Sequence, residues 1–470
     1  MDKQIWMGKF LILTLVIPFL IYLKTLLPTV GFWDTGEFQT VAYTLDVAHP
    51  TGYPTYIVLG KLFISIFPFG NIAWRMNLLS AIFVSIGIFI FSLLIKRATN
   101  NNLIAILSSI LLSINPYLWS IAIRADPHAL HFLFASLFLF LSYEVINQKS
   151  LKHFFSLSLI TGLSLGNHML SIFFIPSLIL IGVYLIKTEG IKKSYKQIVF
   201  SILLFCLGLL IYIFIPIISS TRPPLVVDYS LSTFEGFKKH VFGQDYQGLM
   251  KTWARGNPKD TFIFYFSLIK ESFPFYSWIL VVSGMIISTI KRGVYGFVLF
   301  TTFVLTLLFS LTYQNSAIER YFITSFTIGV FWLSEFVNFI YSKVKNRFII
   351  VPVIFYLVLM SVFILKDNYK KIDQSKNFYA HEWATQTISN VGNGGVIYSW
   401  WSYSTPLWYI QKVEGERKDI EIINAGTEKW EILGEPQIEL KRVYFTQKVD
   451  LRNKDYYLLP TGNIYELRRF

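Results

Sequence analysis

Long apolar runs separated by short polar segments make up most of the chain. A helix needs roughly 20 apolar residues to cross about 30 Å of hydrocarbon. Runs of that length recur as far as residue 365. They predict about eleven transmembrane helices, at 9–27, 72–95, 102–120, 129–147, 152–168, 169–187, 197–217, 275–290, 294–313, 321–341 and 347–365.

Basic residues cluster in the short segments between alternate runs, which the positive-inside rule places in the cytoplasm. These residues are Lys96, Arg97, Lys149, Lys152, Lys187, Lys192, Lys193, Lys196, Lys291, Arg292, Lys343, Lys345 and Arg347. The first nine residues, MDKQIWMGK, are basic, and no small-residue cleavage site follows the first run, so we expect an uncleaved first span. The prediction is a multi-pass cell-membrane protein with a cytoplasmic amino terminus and an extracytoplasmic carboxyl terminus.

Residues 366–470 have a different pattern, polar with alternating apolar stretches. The segments 396–400, 420–423 and 443–445 read as strands. The segment 405–413 reads as a helix, with Pro406 at its start and Gly415 just after its end. We therefore predict two domains: a transmembrane domain over 1–365, with outer loops at 28–71 and 218–274, and a small extracytoplasmic α/β domain over 366–470.

The composition agrees with a membrane protein, and composition and motifs together argue against several other functional classes. The chain has 470 residues, of which 54% are hydrophobic and 15% charged, and its mean hydropathy is +0.51. The net charge of +14 lies in short clusters rather than along one face, so nucleic-acid binding is not expected. Cys206 is the single cysteine and excludes an intramolecular disulfide. The sequence contains none of the motifs GxxxxGK[ST], GxGxxG, HExxH and CxxC, and no DxD pair of the kind that holds a metal in sugar-nucleotide transferases.

The stretch from Phe32 to Pro54, FWDTGEFQTVAYTLDVAHPTGYP, interrupts the apolar pattern with two carboxylates and a histidine. Apolar residues at helical spacing predict a helix over 35–45, which places Asp34 and Glu37 on one face. Two carboxylates held together at a membrane edge are costly unless one is protonated or both face water, a cation or a substrate. The alternative is structural: Asp34 is the N-cap and Glu37 its N3 partner in a capping box.

Further ionisable residues collect in the segments predicted to face outside, where such groups are candidates for function. Pro50 keeps His49 out of a helix and presents its ring on a fixed loop. Two arginines suit a phosphate best, because a guanidinium is always charged and binds through a fixed fork. These two arginines are Arg222 and Arg320. The full set of candidates for binding a donor phosphate or substrate is His49, Arg124, Asp126, His128, His168, Arg222, His240, Tyr246 and Arg320.

Structural alternatives stay open for several of these candidates. Asp126 and Arg124 pair with each other, or Asp126 caps the next helix with Pro127 in its first turn. For His168, the structural alternative to a binding role is a hydrogen-bonded core histidine. His128 and His131, three residues apart, do not form a metal signature without further ligands.

Four stretches carry a resemblance to a known family. FWDTGEFQTVAYTLDVAHPTGYPTYIVLGKLF resembles the opening of domain-of-unknown-function family 2723, whose members are similar to human transmembrane protein 260 and to the protein O-mannosyltransferases. The resemblance continues in TRPPLVVDYSLSTFEGFKKHVFGQDY, in ERYF at 319–322 and, more loosely, in STPLWYIQKVEGERKDIEIIN. The acidic residue that the family usually has before the tail helix is replaced here by the segment SWWSYS.

This resemblance implies a GT-C-type glycosyltransferase, a polytopic enzyme whose first outer loop bears a catalytic carboxylate. The catalytic positions carried over are Asp34 and, as its neighbour, Glu37. The implied partners are a polyprenyl-phosphate-linked donor of a mannose-like sugar and a hydroxyl acceptor, such as Ser or Thr of an exported protein. The expected reaction is a carboxylate-assisted inverting displacement at the outer membrane face. The sequence indicates no cofactor and leaves a divalent metal open. The alternative is a transporter or lipid flippase without transferase activity.

Overall fold

The structure, a computed structural model, describes residues 10–343 and 347–470. In that part of the chain, seven helical segments are long and apolar enough to cross a membrane. They are Ile72–Thr99, Pro127–Gln148, Met169–Glu189, Tyr195–Thr221, Val294–Thr312, Ile318–Lys343 and Val351–Ile372. The molecule is therefore a polytopic helical protein with at least seven candidate spans, as the apolar pattern predicts.

The α-helices are numbered here in chain order. They are α1 (Leu13–Lys24), α2 (Asp34–Thr44), α3 (Pro54–Ile66), α4 (Ile72–Thr99), α5 (Asn102–Ser113), α6 (Pro116–Ala122), α7 (Pro127–Gln148), α8 (Leu151–Leu165), α9 (Phe174–Glu189), α10 (Ile191–Leu209), α11 (Phe214–Thr221), α12 (Phe234–Val241), α13 (Pro258–Ser272), α14 (Ser277–Arg292), α15 (Val294–Thr312), α16 (Ile323–Lys343), α17 (Arg347–Ile372), α18 (Tyr379–Ser389), α19 (Trp401–Tyr409) and α20 (Trp430–Gly434).

Two apolar helix pairs bend sharply. The predicted span at 102–120 consists of two helices, α5 and α6, which meet at an angle of 70°. Pro116 opens α6 without an N–H to donate, and the Asn115 side chain accepts from the backbone N–H of Tyr117 at 3.1 Å. The second pair, α13 and α14, is bent by 91°. The sequence predicted only its second half and placed α13 in the long outer loop.

Shorter apolar helices account for other differences from the prediction. The segments at 9–27 and 152–168 form the helices Phe10–Lys24 and Leu151–Leu165, which are shorter than a full span. Helix α3 lies in the first predicted outer loop. The number of eleven spans therefore stays a prediction. Residues 1–9, Lys345 and the side chains of Lys192, Lys193 and Arg347 lie outside the described residues.

The carboxyl-terminal region contains a five-stranded sheet. Its strands are β1 (Val396–Ser399), β2 (Glu421–Asn424), β3 (Val443–Phe445), β4 (Tyr456–Thr461) and β5 (Ile464–Arg469), in the order β2-β1-β3-β5-β4. Strand β1 pairs in parallel with β2 and β3, and the hairpin β4–β5 adds antiparallel to β3. The first three strands confirm the prediction. The hairpin β4–β5 was not predicted, because the sequence of its first strand, YYLLPT, does not alternate between apolar and polar residues.

Helix α19 connects this region to the amino-terminal half. It begins at Trp401, so the prediction that Pro406 starts this helix is wrong. A Cβ at Gly36 of α2 would meet the Gly31 carbonyl oxygen and lie 3.0 Å from Oγ1 of Thr405, so the missing side chain lets α2 and α19 pack closely. The Tyr409 hydroxyl accepts from the backbone N–H of Ala73 at 3.0 Å. These contacts place α19 against the start of α2 and the start of α4.

Candidate active site

Asp34 is the first residue of α2, and its carboxylate faces other elements rather than its own helix. Its Oδ1 accepts from the indole N–H of Trp401 at 3.2 Å, and its Oδ2 lies 3.9 Å from Nη1 of Arg320. The N-cap is Trp33, which makes no side-chain capping bond. The Asp34 side chain is 36% exposed. The capping-box interpretation is therefore wrong for Asp34, whose oxygens have room for a further partner.

Glu37 forms a buried pair with His49 instead of capping the helix. Its Oε1 accepts from the backbone N–H of His49 at 2.6 Å, and its Oε2 lies 2.6 Å from Nδ1 of the same residue. Burial raises the pKa of Glu37, although His49 opposes the shift. Burial alone would lower the pKa of His49, but the Glu37 carboxylate raises it to about 8. The pair therefore holds a proton between α2 and the loop that follows it.

Asp126 connects three cationic or polar side chains through one buried carboxylate. Its Oδ1 caps α7 through the backbone N–H of His128 at 3.0 Å and lies 2.9 Å from Nδ1 of the same residue. Its Oδ2 lies 3.0 Å from Nη1 of Arg320 and 3.6 Å from Nε of Arg124. Burial alone would raise the pKa of Asp126, but Arg320, His128 and Arg124 hold it well below its usual range. Both structural alternatives for Asp126 are therefore present, and they position two guanidinium groups.

Three buried histidines lie together beyond Asp126. The ring centroids of His128 and His168 are 4.4 Å apart, and those of His131 and His168 are 5.8 Å apart. His168 accepts the backbone N–H of Leu170 through Nδ1 at 3.1 Å. His131 has hydroxyl partners on both ring nitrogens, Ser171 at 3.3 Å and Thr324 at 3.1 Å. His131 is thus a satisfied core histidine.

A cavity of about 830 Å³ collects most of the predicted site residues. Its lining includes aromatic rings and backbone as well as charged groups, so it presents both polar and apolar surface. The predicted residues on its wall are Asp34, His49, Arg124, His128, His168, Tyr246 and Arg320. Glu37 and Asp126 are buried directly behind this wall, where each contacts a lining residue.

Two predicted residues lie elsewhere. Arg222 donates to the Leu45 carbonyl at 2.8 Å and lies 3.8 Å from Asp46, so it holds the carboxyl end of α2. The His240 Nδ1 lies 3.0 Å from the Tyr229 hydroxyl, and burial lowers its pKa to about 4. Neither residue is part of the cavity wall. The local sequence could not distinguish them from Arg320, because all are polar groups in segments predicted to face outside.

The structure adds Trp401 and two tyrosines to the site. Trp401 lies on the cavity wall in the SWWSYS segment, where the family usually has an acid, and it contributes an N–H donor to Asp34. Tyr53 and Tyr321 also line the cavity. Their positions in TGYP and ERYF, two stretches with family resemblance, were a usable signal. Trp401 offered no such signal, because tryptophan in a tail helix is usually part of a core.

Among the residues that the structure describes, one group has the proximity needed for a metal. Asp34, Glu37 and His49 each offer one ligand atom, and these atoms lie within 4.8 Å of one another. However, both carboxylate oxygens of Glu37 already accept from His49. A cation would have to compete with the imidazole for Oε2, so this arrangement favours a protonated histidine–carboxylate pair.

Comparison with solved structures identifies the fold. The crystal structure of ArnT from Cupriavidus metallidurans bound to undecaprenyl phosphate aligns with a TM-score of 0.63 and 9% identity, covering 98% of this chain and 97% of that one. The Archaeoglobus fulgidus oligosaccharyltransferase, tethered to an acceptor peptide, aligns with a TM-score of 0.57 and 13% identity over 93% of this chain and 69% of that one. The chain therefore has a GT-C-like fold.

Comparison of sequences agrees. Residues 34–194 match the family model for the protein O-mannosyl-transferase TMEM260 N-terminal domain. The mouse protein O-mannosyl-transferase TMEM260 is 29% identical over 218 residues, which cover 45% of this chain and 31% of that protein. The Dictyostelium discoideum protein is 23% identical over 466 residues, which cover 88% of this chain and 56% of that protein. The chain thus spans only part of the length of these relatives. The resemblance seen in the sequence is confirmed: the chain is similar to the TMEM260 protein O-mannosyl-transferases, with the match to their amino-terminal domain beginning at Asp34.

Proposed function

We propose that this protein is a membrane glycosyltransferase that moves a mannose-like sugar from a polyprenyl-phosphate donor to a hydroxyl acceptor, such as Ser or Thr of an exported protein. The proposal includes the predicted topology, with the site and residues 366–470 on the extracytoplasmic side of a transmembrane domain over 1–365. The relatives named as O-mannosyl-transferases support the reaction type. The undecaprenyl phosphate in the ArnT structure supports a lipid-linked donor.

One observation carries the proposal: a single cavity contains a carboxylate and two guanidinium groups in positions suited to different parts of the reaction. Asp34 lies on its wall, and its side chain is 36% exposed, which leaves room for a further hydrogen-bond donor. Arg124 and Arg320 line the same cavity and are both oriented by Asp126. The Arg320 side chain is 17% exposed, which leaves part of its guanidinium available to an anion.

The chemical step assigns a role to each group. The acceptor hydroxyl oxygen attacks the anomeric carbon, and its proton passes to Asp34 as the new carbon–oxygen bond forms. The bond between the anomeric carbon and the phosphate oxygen breaks, and its electron pair leaves with the polyprenyl phosphate. Arg320 and Arg124 stabilise the negative charge that develops on this leaving group. Attack on the side opposite the phosphate inverts the anomeric centre.

The surrounding residues position these groups. Glu37 is fully buried and engaged by His49, so the geometry favours Asp34 as the base and Glu37 as a positioning residue. Tyr246 and His49 line the cavity near each other, with ring centroids 6.3 Å apart, and are suited to orient the acceptor. Arg222 and His240 lie off the cavity wall, and the proposal gives them a structural role.

The test is an incubation of the purified full-length protein with a mannosyl-phosphate polyprenol and a peptide rich in Ser and Thr. We expect a peptide mass increase of one hexose, with an inverted anomeric configuration by NMR. A protein that moves the lipid-linked sugar across a proteoliposome membrane, yet never modifies any hydroxyl acceptor, would establish the transporter alternative and overturn the proposal.

A further inference from the structure

Two buried imidazoles on the cavity wall each have one nitrogen without a partner. His128 and His168 are both 5% exposed, and their ring centroids lie 4.4 Å apart. The Nε2 atoms of both rings are buried and have no hydrogen-bond partner among the described residues. A buried polar atom without a partner is costly and is rare in native proteins, so a pair of them at one wall indicates a missing ligand.

In each ring, the hydrogen-bond partner of Nδ1 determines whether Nδ1 or Nε2 carries the proton. In His168, Nδ1 accepts the backbone N–H of Leu170 at 3.1 Å, so it carries no proton. Burial lowers the pKa of His168 well below its usual value, and the nearby histidines lower it further. The ring is therefore neutral, and its single proton is on Nε2. His168 presents an N–H donor.

His128 has the opposite arrangement. Its Nδ1 lies 2.9 Å from Oδ1 of Asp126, and a carboxylate can only accept, so the proton of the ring is on Nδ1. Arg320 pairs with Oδ2 of the same carboxylate at 3.0 Å, which leaves Oδ1 to the imidazole. In the neutral ring, Nε2 is an acceptor. The two neighbouring histidines thus offer one donor and one acceptor.

We infer that Nε2 of His128 and Nε2 of His168 together bind one hydroxyl group of the sugar on the lipid-linked donor. A hydroxyl donates one hydrogen bond and accepts another, and so satisfies both nitrogens at once. A phosphate oxygen at neutral pH has no proton to give to His128, so the pair is not part of the phosphate site. This inference rests on the proposed function and names the part of the donor that these residues recognise.

The position of the pair agrees with a sugar bound next to its phosphate. The same Asp126 carboxylate holds His128 through Oδ1 and Arg320 through Oδ2, so one side chain positions both the histidine and the guanidinium. The rings of Tyr53 and Tyr321 approach His168 with centroid distances of 5.7 and 5.6 Å. Aromatic rings beside hydroxyl-binding groups suit the apolar C–H faces of a sugar.

Two kinds of substitution test the roles of Nδ1 and Nε2 independently in each ring. An asparagine places its amide near the position of Nδ1, so His168→Asn keeps an acceptor for Leu170 and removes Nε2. His128→Asn likewise keeps a donor to Asp126 and removes Nε2. A glutamine reaches further, so His168→Gln restores an N–H near Nε2. His131→Asn is the matched control, because His131 is also buried but both its nitrogens already have partners.

The measurement is the affinity of the purified full-length variants for a short-chain mannosyl-phosphate polyprenol and for the same polyprenyl phosphate without sugar. We expect His168→Asn and His128→Asn to weaken binding of the sugar-bearing lipid by about 10-fold or more. Binding of the bare lipid phosphate should be unchanged. His168→Gln should recover much of the loss, and His131→Asn should not change the ratio of the two affinities.

Equal losses for both lipids, or no loss for either, would overturn the inference, since the pair would then serve the phosphate or only the fold. The assay needs no turnover, so it separates this inference from the proposed function. Wild-type protein that prefers the sugar-bearing lipid through these histidines but transfers no sugar would refute the proposed reaction alone. Transfer that proceeds with no selectivity from the histidines would refute the inference alone.

Discussion

The indole N–H of Trp401 donates to Oδ1 of Asp34 at 3.2 Å, across 367 positions of sequence. The carboxylate at the start of α2 is therefore oriented by a helix from the carboxyl-terminal region. This contact leaves Oδ2 directed toward Arg320 and the cavity. The carboxyl-terminal region thus contributes a residue to the wall of the candidate site.

Replacing Asp34 with Asn should abolish most of the transfer activity. The amide oxygen still accepts from Trp401, so the local structure is retained, but the side chain no longer takes a proton. We expect the rate of transfer to fall by about 10²–10⁴-fold. Lipid binding, measured separately, should change little. A folded Asp34→Asn protein that transfers sugar at the parental rate would exclude Asp34 as the base.

Replacing Trp401 with Phe tests whether the carboxyl-terminal region orients Asp34. An aromatic ring is kept, although a smaller one, while the N–H donor is lost. Hydrogen bonds to charged groups are stronger than neutral ones, so we expect about a 10-fold lower turnover rate. Trp400→Phe is the control, because Trp400 packs edge-on against Trp33 and is not on the cavity wall. Equal effects of the two substitutions would indicate a general loss of packing.

The two arginines Arg320 and Arg222 should behave differently. Arg320 lines the cavity, and lysine cannot reproduce its fork to Asp126 and a phosphate, so Arg320→Lys should lower transfer by about 100-fold. Arg222 instead holds the end of α2, so Arg222→Lys should lower thermal stability while the donor affinity is retained. A reversed order in steady-state kinetics and donor-binding titrations would contradict the assignment of the phosphate site.

Stability should fall as the pH rises past neutral. The pKa of His49 is raised from its usual 6.5 to about 8 in the folded protein. Its contribution, about 2 kcal/mol, is therefore fully present below pH 6.5 and is lost as the pH rises through about 8. Burial also raises the pKa of Glu37, which acts in the same direction.

Thermal unfolding in detergent between pH 6 and about 9 measures this effect. Wild-type Tm should decrease over that interval. The variant Glu37→Gln removes the carboxylate that holds the His49 proton, so its Tm should vary much less with pH. An identical pH dependence of Tm in the two proteins would show that Glu37 does not stabilise the protonated form of His49.

The contact between α2 and α19 makes Gly36 sensitive to substitution. A Cβ there would meet the Gly31 carbonyl and Thr405, so Gly36→Ala should destabilise the protein by roughly 1–3 kcal/mol. Gly182→Ala is the matched control within a helix, because its Cβ would find only an ordinary contact with Phe154 at 3.9 Å. Denaturation of both variants checks the prediction, which fails if Gly36→Ala is as stable as Gly182→Ala.

Much of the architecture follows from sequence pattern. Apolar runs predicted the long helices, because crossing hydrocarbon requires a length and composition that few other structures need. Alternation predicted β1 to β3, and helical spacing predicted α2 to within a residue or two. The bends were missed, because a sharp angle between two apolar helices depends on caps such as Asn115 and on neighbouring helices rather than on hydropathy.

The sequence by itself determined which polar residues an apolar chain has to accommodate: Asp34, Glu37 and His49 in one short stretch, and Asp126 and Arg320 in others. Only the tertiary structure decided which of them meet. It brought Arg320 to Asp34 and Trp401 to the same carboxylate, and it turned Glu37 toward His49 and Arg222 toward the end of α2. The physical reason is that charge and hydropathy fix a residue's depth and environment, whereas the distance between two side chains far apart in sequence depends on how whole helices pack.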